Sequence, residues 1–255
     1  MIVDYADLKT KMRGASIPKP LSATLSGHAA GEPFDKHVYE RIKRLFPTET
    51  FRQHEYLNDL YSKNPTTIGD NARRKLFNSP TILFLLSRGQ NATDKWNLNN
   101  PFEEKQNDTA DILVVQNDFY EIIDIKTRNV SKSAQPPNII SAYKLAHLCA
   151  KMLDNKEFDN FTINYFEIDW ELEKERLVCR DAHFGCLFHA DPVGLYINWA
   201  AAMQIQFHVC DLDQTFQGDR EKWAKEYLKH FVNQAKRRAE DMIKRFVEPF
   251  EKYIA

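Results

Sequence analysis

The chain reads as an α/β protein with a central mixed β-sheet flanked by helices. Three observations predict this. Two β-rich runs, residues 111–116 (DILVVQ) and 119–127 (FYEIIDIKT), enclose a short polar turn. Segments with helix-like spacing of apolar residues lie on either side of that pair, at 33–46 and 138–153. A long amphipathic helix over about 219–248 follows near the C-terminus.

Taken in order, residues 33–46 place Phe34, Val38, Ile42 and Leu45 on one helical face, with Pro33 suited to the first turn. Residues 80–87 (PTILFLLS) are a short apolar run that suits a buried strand or a buried helix equally. The hairpin comes next, with Gln116, Asn117 and Asp118 as its turn. The helix over 138–153 takes Asn138 as its N-cap, and apolar residues follow at Ile139, Ile140, Tyr143, Ala146, Leu148 and Met152. Further strands are expected at 161–172 and 203–209. The C-terminal helix is capped by Asp219 and marked by Trp223, Tyr227, Phe231, Ala235, Met242, Phe246 and Phe250, a stripe for core or dimer packing.

The 255 residues show no repeat, low-complexity tract or linker, so 1–255 is expected to form one domain. No apolar run reaches the roughly 18 residues of a membrane span, and the N-terminus has no signal-peptide pattern; a cytoplasmic, bacterial protein is expected. Cys149, Cys179, Cys186 and Cys210 lack a disulfide framework and read as reduced thiols. A formal net charge of −1 argues against a protein that coats nucleic acid without selection, but leaves room for a local basic surface beside a carboxylate site.

The chemistry concentrates in the hairpin. Asp111 opens its first strand, and Asp124 and Lys126 stand two apart near the end of its second, so they share a face. Antiparallel pairing sets the start of one strand against the end of the other, so two carboxylates and a lysine are expected to converge at one rim of the sheet. Carboxylate oxygens suit Mg²⁺, with Mn²⁺ able to substitute. A cation so held neutralises a phosphate oxygen and lowers the pKa of a bound water, which is the chemistry of phosphodiester hydrolysis. Lys126 is placed to orient that water, to stabilise developing charge, or to take a proton if its pKa is lowered. Ile125 points to the opposite face, and its backbone carbonyl is a further metal-ligand candidate. Its neighbours Ile122 and Ile123 make this a buried strand, where a carboxylate needs a partner or a metal.

From Thr127 to Leu153 there is no Asp or Glu, while Arg128, Lys132, Lys144 and Lys151 are present. Such a stretch suits phosphate positioning, and the amides of Gln135 and Asn138, around the rigid Pro136-Pro137 tip, suit base edges. Cys179, His183, Cys186 and His189 have the residue types of a zinc cluster, but Phe184, Leu187 and Phe188 interleave with them as core does. Glu32, at a helix start, is a candidate supporting residue at the metal site.

These residues resemble the PD-(D/E)xK nuclease core, and the chain is similar to the HincII/HindII-like family of type II restriction endonucleases. The resemblance is carried by TLSGHAAGEPF (24–34), NSPTILFLLSRG (78–89), EEKQNDTAD (103–111), DIKTRNVSKSAQPPNIISAYK (124–144) and YINWAAAMQIQFHVCDLDQ (196–214). It implies a restriction-endonuclease-like fold and a homodimer acting on double-stranded DNA. It implies recognition of GTYRAC with central cleavage to blunt ends carrying 5′-phosphates. By that match Asp111 and Asp124 bind Mg²⁺, Lys126 completes the centre, Gln135 presses into the base stack, Asn138 and Asn198 touch bases, and Gln106 is a further contact. A cognate DNA methyltransferase is expected in the same system, without a stable complex. Pro136 departs from the Ala of the family pattern, and the segment around His183 and His189 departs as well. The alternatives are a repair or junction-resolving nuclease of the same core, or a DNA-binding protein without catalysis.

Overall fold

The computed structural model describes residues 1–20, 28–62, 68–86, 110–133 and 135–254, with only the backbone of 28–32. Six strands make the main sheet: β1 (Ser16–Pro18), β2 (Thr50–Phe51), β3 (Ile112–Gln116), β4 (Phe119–Asn129), β6 (Phe161–Glu173) and β7 (Arg176–Cys186). Their order is β1-β7-β6-β4-β3-β2. Only β4 and β6 pair in parallel, so the sheet is mixed. A smaller sheet, in the order β5-β9-β8, is built from β5 (Asn138–Ser141), β8 (Ile197–Asn198) and β9 (Gln204–Gln206).

The β3–β4 hairpin closes on Asn117 and Asp118, with φ of 51° and 65°. A two-residue turn of this kind needs both central residues in the left-handed region, and Asn and Asp tolerate it best after glycine. A parallel β4–β6 pair needs a crossover, supplied by β5 and helix α6 (Ala142–Asn155).

Alternation along β4 sends side chains to two cores. Tyr120 and Ile122 face one that includes Leu145, Leu148 and Met152 of α6 and Trp223 and Tyr227 of the C-terminal helix. Ile123 and Ile125 face the other, lined by α1 (Tyr5–Met12) and α2 (His28–Leu45) through Tyr5, Leu8, Met12, Phe34, Val38 and Ile42. Between α2 and the hairpin lie α3 (Gln53–Tyr61), α4 (Asp70–Phe77) and α5 (Pro80–Leu86). The C-terminal helix α7 spans Arg220–Phe246 and is followed by the short α8 (Glu248–Glu251). Trp223 Nε1 donates to Ala190 O at 2.8 Å and Tyr227 OH to Ala142 O at 2.9 Å, so both buried rings also satisfy their polar tips.

Several expectations are corrected. Asn138 is a strand residue paired with Gln206, and the helix begins four residues later under Ser141, whose hydroxyl accepts from Lys144 N. Ile139 and Ile140 are both buried across a register shift, and two consecutive β-branched side chains favour extended backbone there. Pro33 lies inside α2 rather than in its first turn, because the helix starts at His28. The ambiguous run at 80–87 is helix α5. The strand expected at 203–209 stops at Gln206, since His208 and Val209 turn away to bond Glu167. The expected C-terminal stripe divides: Trp223 and Tyr227 on α7 are core, whereas Met242 and Phe246 on α7 and Phe250 on α8 are exposed.

Candidate active site

The hairpin register sets Ile112 opposite Ile123, and Asp111 N donates to Ile123 O at 3.0 Å, so Asp111 arrives beside Asp124 as the pairing argument requires. Asp111 Oδ2 accepts from the backbone N–H of Ile125 at 2.7 Å, which pins its carboxylate to the peptide joining Asp124 and Ile125. Lys126 Nζ lies 2.8 Å from Asp124 Oδ2. The side chain of Ile125 is buried in the opposite core.

With both carboxyls ionised, Asp111, Asp124 and Lys126 together carry one negative charge in excess. Burial pushes Asp124 up to about 8; Lys126 pulls against the rise and the Asp111 carboxylate adds to it. Burial opposes the charge on Lys126, yet Asp124 and Asp111 outweigh it and hold its pKa above the ordinary lysine value. A hard divalent cation would relieve the repulsion between the two aspartates, and an all-oxygen donor set suits Mg²⁺. Among the described residues no three His, Cys, Asp or Glu side chains converge into a fuller ligand cage. Two carboxylates and the Ile125 carbonyl would therefore hold the ion, and water would complete its shell, as Mg²⁺ tolerates.

Sequence reasoning missed the groups that surround this centre. Glu167 stands beside Lys126 on β6, fully buried; its Oε1 lies 2.8 Å from His208 Nδ1 and its Oε2 accepts from Val209 N at 2.6 Å. Tyr165 stands beside Asp124, with a buried hydroxyl that has no hydrogen-bond partner among the described residues. Arg52 donates through Nη1 to the Asp111 carbonyl at 2.9 Å and to Asp35 Oδ1 at 2.7 Å, and its guanidinium lies 4.2 Å from the centroid of the Tyr39 ring. Gln53 accepts from Ala110 N at 2.8 Å and donates to Leu86 O at 2.6 Å, fixing the approach to Asp111. The one sequence signal for Glu167 is a charged residue inside the apolar run FTINYFEIDW.

Of the expected DNA-contacting residues, Gln135 and Pro136 are exposed at the tip before β5, and Lys132 is exposed. Arg128 is held by Asp169 at 2.8 and 2.5 Å, and Asp169 also meets His183 at 3.1 Å. Asn138 and Asn198 lie on the small sheet and are joined through Gln206, which bonds each at 2.8 Å. Gln106 and the side chain of Glu32 lie outside the described residues. The zinc alternative has no geometry behind it: Cys179 and Cys186 belong to different cores on opposite faces of β7, and all four cysteines are free. No helix among the described residues is long and apolar enough to cross a membrane.

Comparison with known proteins bears on this arrangement. The family model described as restriction endonuclease HincII matches residues 8–254. The type II restriction enzyme HindII of Haemophilus influenzae strain KW20 / Rd is 64% identical over 250 residues, covering 98% of this chain and 97% of that protein. The type II restriction enzyme HincII of Haemophilus influenzae shows the same identity and coverage, 64% over 250 residues. Among solved structures, the NlaIV restriction endonuclease matches at a TM-score of 0.39 and 12% identity, covering 96% of this chain and 85% of that one, too distant a likeness to add weight. With a family model spanning nearly all of its length and relatives at this identity, the chain belongs to the HincII family of restriction endonucleases.

Proposed function

We propose that this restriction endonuclease hydrolyses double-stranded DNA at GTYRAC through a Mg²⁺-dependent centre formed by Asp111, Asp124 and Lys126. Cleavage at the middle of the site would leave blunt ends with 5′-phosphates. The observation that carries the chemistry is the pair of abutting, largely buried carboxylates with a lysine 2.8 Å from one of them. The target is the one that the resemblance to the HincII family implies, and 64% identity to the HindII and HincII enzymes supports that reading. A divalent cation bound there supplies charge neutralisation at the scissile phosphate and acidifies a bound water. Asp111 is held in place by the Ile125 N–H, and Asp124 turns one oxygen to Lys126. Lys126 stands 2.8 Å from Asp124 Oδ2, placed to donate to a phosphate oxygen, to orient the attacking water, or to take its proton.

The small sheet and the 135–138 tip read bases. A two-fold homodimer presents one such surface to each half-site of a palindromic target. A cognate methyltransferase protects host DNA without forming part of this assembly.

The deciding experiment is digestion of a mapped plasmid with Mg²⁺ or Mn²⁺, followed by sequencing of the ends. Discrete fragments whose blunt ends read GTY and RAC are expected, with no cutting in chelator. A continuous ladder, or discrete ends of another sequence, overturns the target. An inert protein in both metals overturns the chemistry.

A further inference from the structure

On the small sheet, Ile140, Ile197 and Ile205 turn inward to the core, while Asn138, Asn198 and Gln206 face outward. The three amides form a chain with a definite direction. Asn198 Oδ1 accepts from the backbone N–H groups of Ala200 and Ala201, both at 3.1 Å. A backbone N–H only donates, so this end of Asn198 is fixed as oxygen and its Nδ2 must face Gln206. Nδ2 donates to Gln206 Oε1 at 2.8 Å, and Gln206 Nε2 donates to Asn138 Oδ1 at 2.8 Å. Each step sets the next: with Asn138 Oδ1 engaged, its Nδ2 group is the one turned away from the sheet. Each amide nitrogen carries two hydrogens, and the chain uses one on Asn198, one on Gln206 and none on Asn138. The spare capacity on this face is therefore mostly N–H donors.

We propose that Gln206 is a positioning residue for target recognition, relaying the fixed orientation of Asn198 to Asn138 so that both offer amide N–H groups to acceptor atoms on base edges. This rests on the reading of the small sheet as a DNA-reading surface. The acceptors it fits in the major groove are purine N7, guanine O6 and thymine O4. Without Gln206, Asn138 turns over freely and presents oxygen as readily as nitrogen. Donor–acceptor mismatch at a base edge is what discriminates one base pair from another.

The test compares wild type, Gln206→Leu, Gln206→Glu, Asn138→Ala and the Gln206→Leu/Asn138→Ala double variant, each checked for thermal unfolding. Initial kcat/KM is measured on the preferred duplex, on duplexes with single base-pair changes, and on duplexes carrying 7-deazapurines, which lack the N7 acceptor. Gln206→Leu is expected to narrow discrimination about tenfold, within the usual worth of a base contact. One 7-deazapurine position that slows the wild type should no longer slow this variant, and the double variant should discriminate no worse than Asn138→Ala alone. Gln206→Glu still accepts from Asn198 but now also accepts from Asn138, turning the Asn138 oxygen outward; preference at its base should move toward an amino group, adenine N6 or cytosine N4. Any uniform loss from the added negative charge cancels in the ratio. A folded Gln206→Leu that discriminates like wild type, while Asn138→Ala does not, overturns the role of Gln206 and leaves the reading surface standing. Should Asn138→Ala itself keep full discrimination, the reading surface fails, and the role of Gln206 with it. If Gln206→Leu does not fold, wild-type preference in Gln206→Glu refutes the proposal.

Discussion

Glu121 and Asp124 sit three residues apart on β4 and point to opposite faces of the sheet, and both are carboxylates set among buried apolar side chains. Their surroundings differ in kind. Glu121 is saturated: Oε1 accepts from Tyr5 OH at 2.7 Å and from Asn164 Nδ2 at 2.8 Å, while Oε2 accepts from Ile2 N and from Val3 N. It is fully buried and ties the start of the chain to the middle of the sheet. Asp124 has one lysine and, against it, a second carboxylate that adds to the upward push of burial on its pKa. A buried carboxylate whose lone pairs are filled by donors that nothing else contests is a structural fastener. One left beside a like charge is an unfinished site that a bound cation would complete.

Substitution at the two positions should separate the roles. The largest effect is expected for Asp124→Ala, with kcat/KM for DNA cleavage falling at least about a thousandfold while the unfolding midpoint stays at or above that of wild type. A fall in stability with cleavage retained would exchange the two roles. Glu121→Ala strands the Tyr5, Asn164 and N-terminal donors, and should cost about 3 kcal/mol, read as a lower denaturant midpoint at unchanged slope, with cleavage by the folded fraction preserved. His208→Ala probes an intermediate case, because Glu167 keeps the Val209 N–H but loses its imidazole partner. A roughly tenfold drop in kcat is expected, in line with outer partners of metal sites, and an unchanged kcat would reduce this clamp to packing. The smallest effect belongs to Tyr165→Phe. Removing a buried hydroxyl that has no partner among the described residues should raise stability by up to about 1 kcal/mol, and a loss of cleavage there would show that the hydroxyl serves Asp124.

The same contrast explains what was legible in advance. The carboxylate-bearing hairpin could be read because its signals are local: a period of two, a two-residue turn of Asn and Asp, and charges that break an apolar pattern. Glu121 shows the same local signal as Asp124, a charge in an apolar strand, and nothing near it in sequence reveals that its donors come from residues 2–5 and 164. Strand β7 is not marked in the sequence because charged and apolar residues in 176–186 do not alternate cleanly, and only pairing with β6 shows that Cys179 and Cys186 face apart. Helix α1 went unseen because its apolar residues, Tyr5, Leu8 and Met12, are few and find their burial only against the sheet. Asn138 was misplaced because a good helix cap is also a good edge residue, and tertiary pairing with Gln206 decided between them. Arg128 looked like a free cation in a basic stretch, but Asp169 on the neighbouring strand claims it. Gln206 carried no mark of its own; its importance is a matter of which two asparagines the fold brings beside it.

The clamp on Glu167 also bears on how such a protein can change. Gln206 belongs to the small sheet, and His208, two residues later, holds the carboxylate beside Lys126. Two extended residues span roughly 7 Å, so there is almost no slack between the strand that carries the outward amides and the buried pair next to the lysine. A lineage drifting toward a new target, or an engineer grafting a foreign small sheet, cannot shift this strand by one residue without also moving His208 off Glu167. Changes of preference should therefore accumulate by side-chain replacement in place, with the backbone of residues 204–209 kept as common property of both tasks.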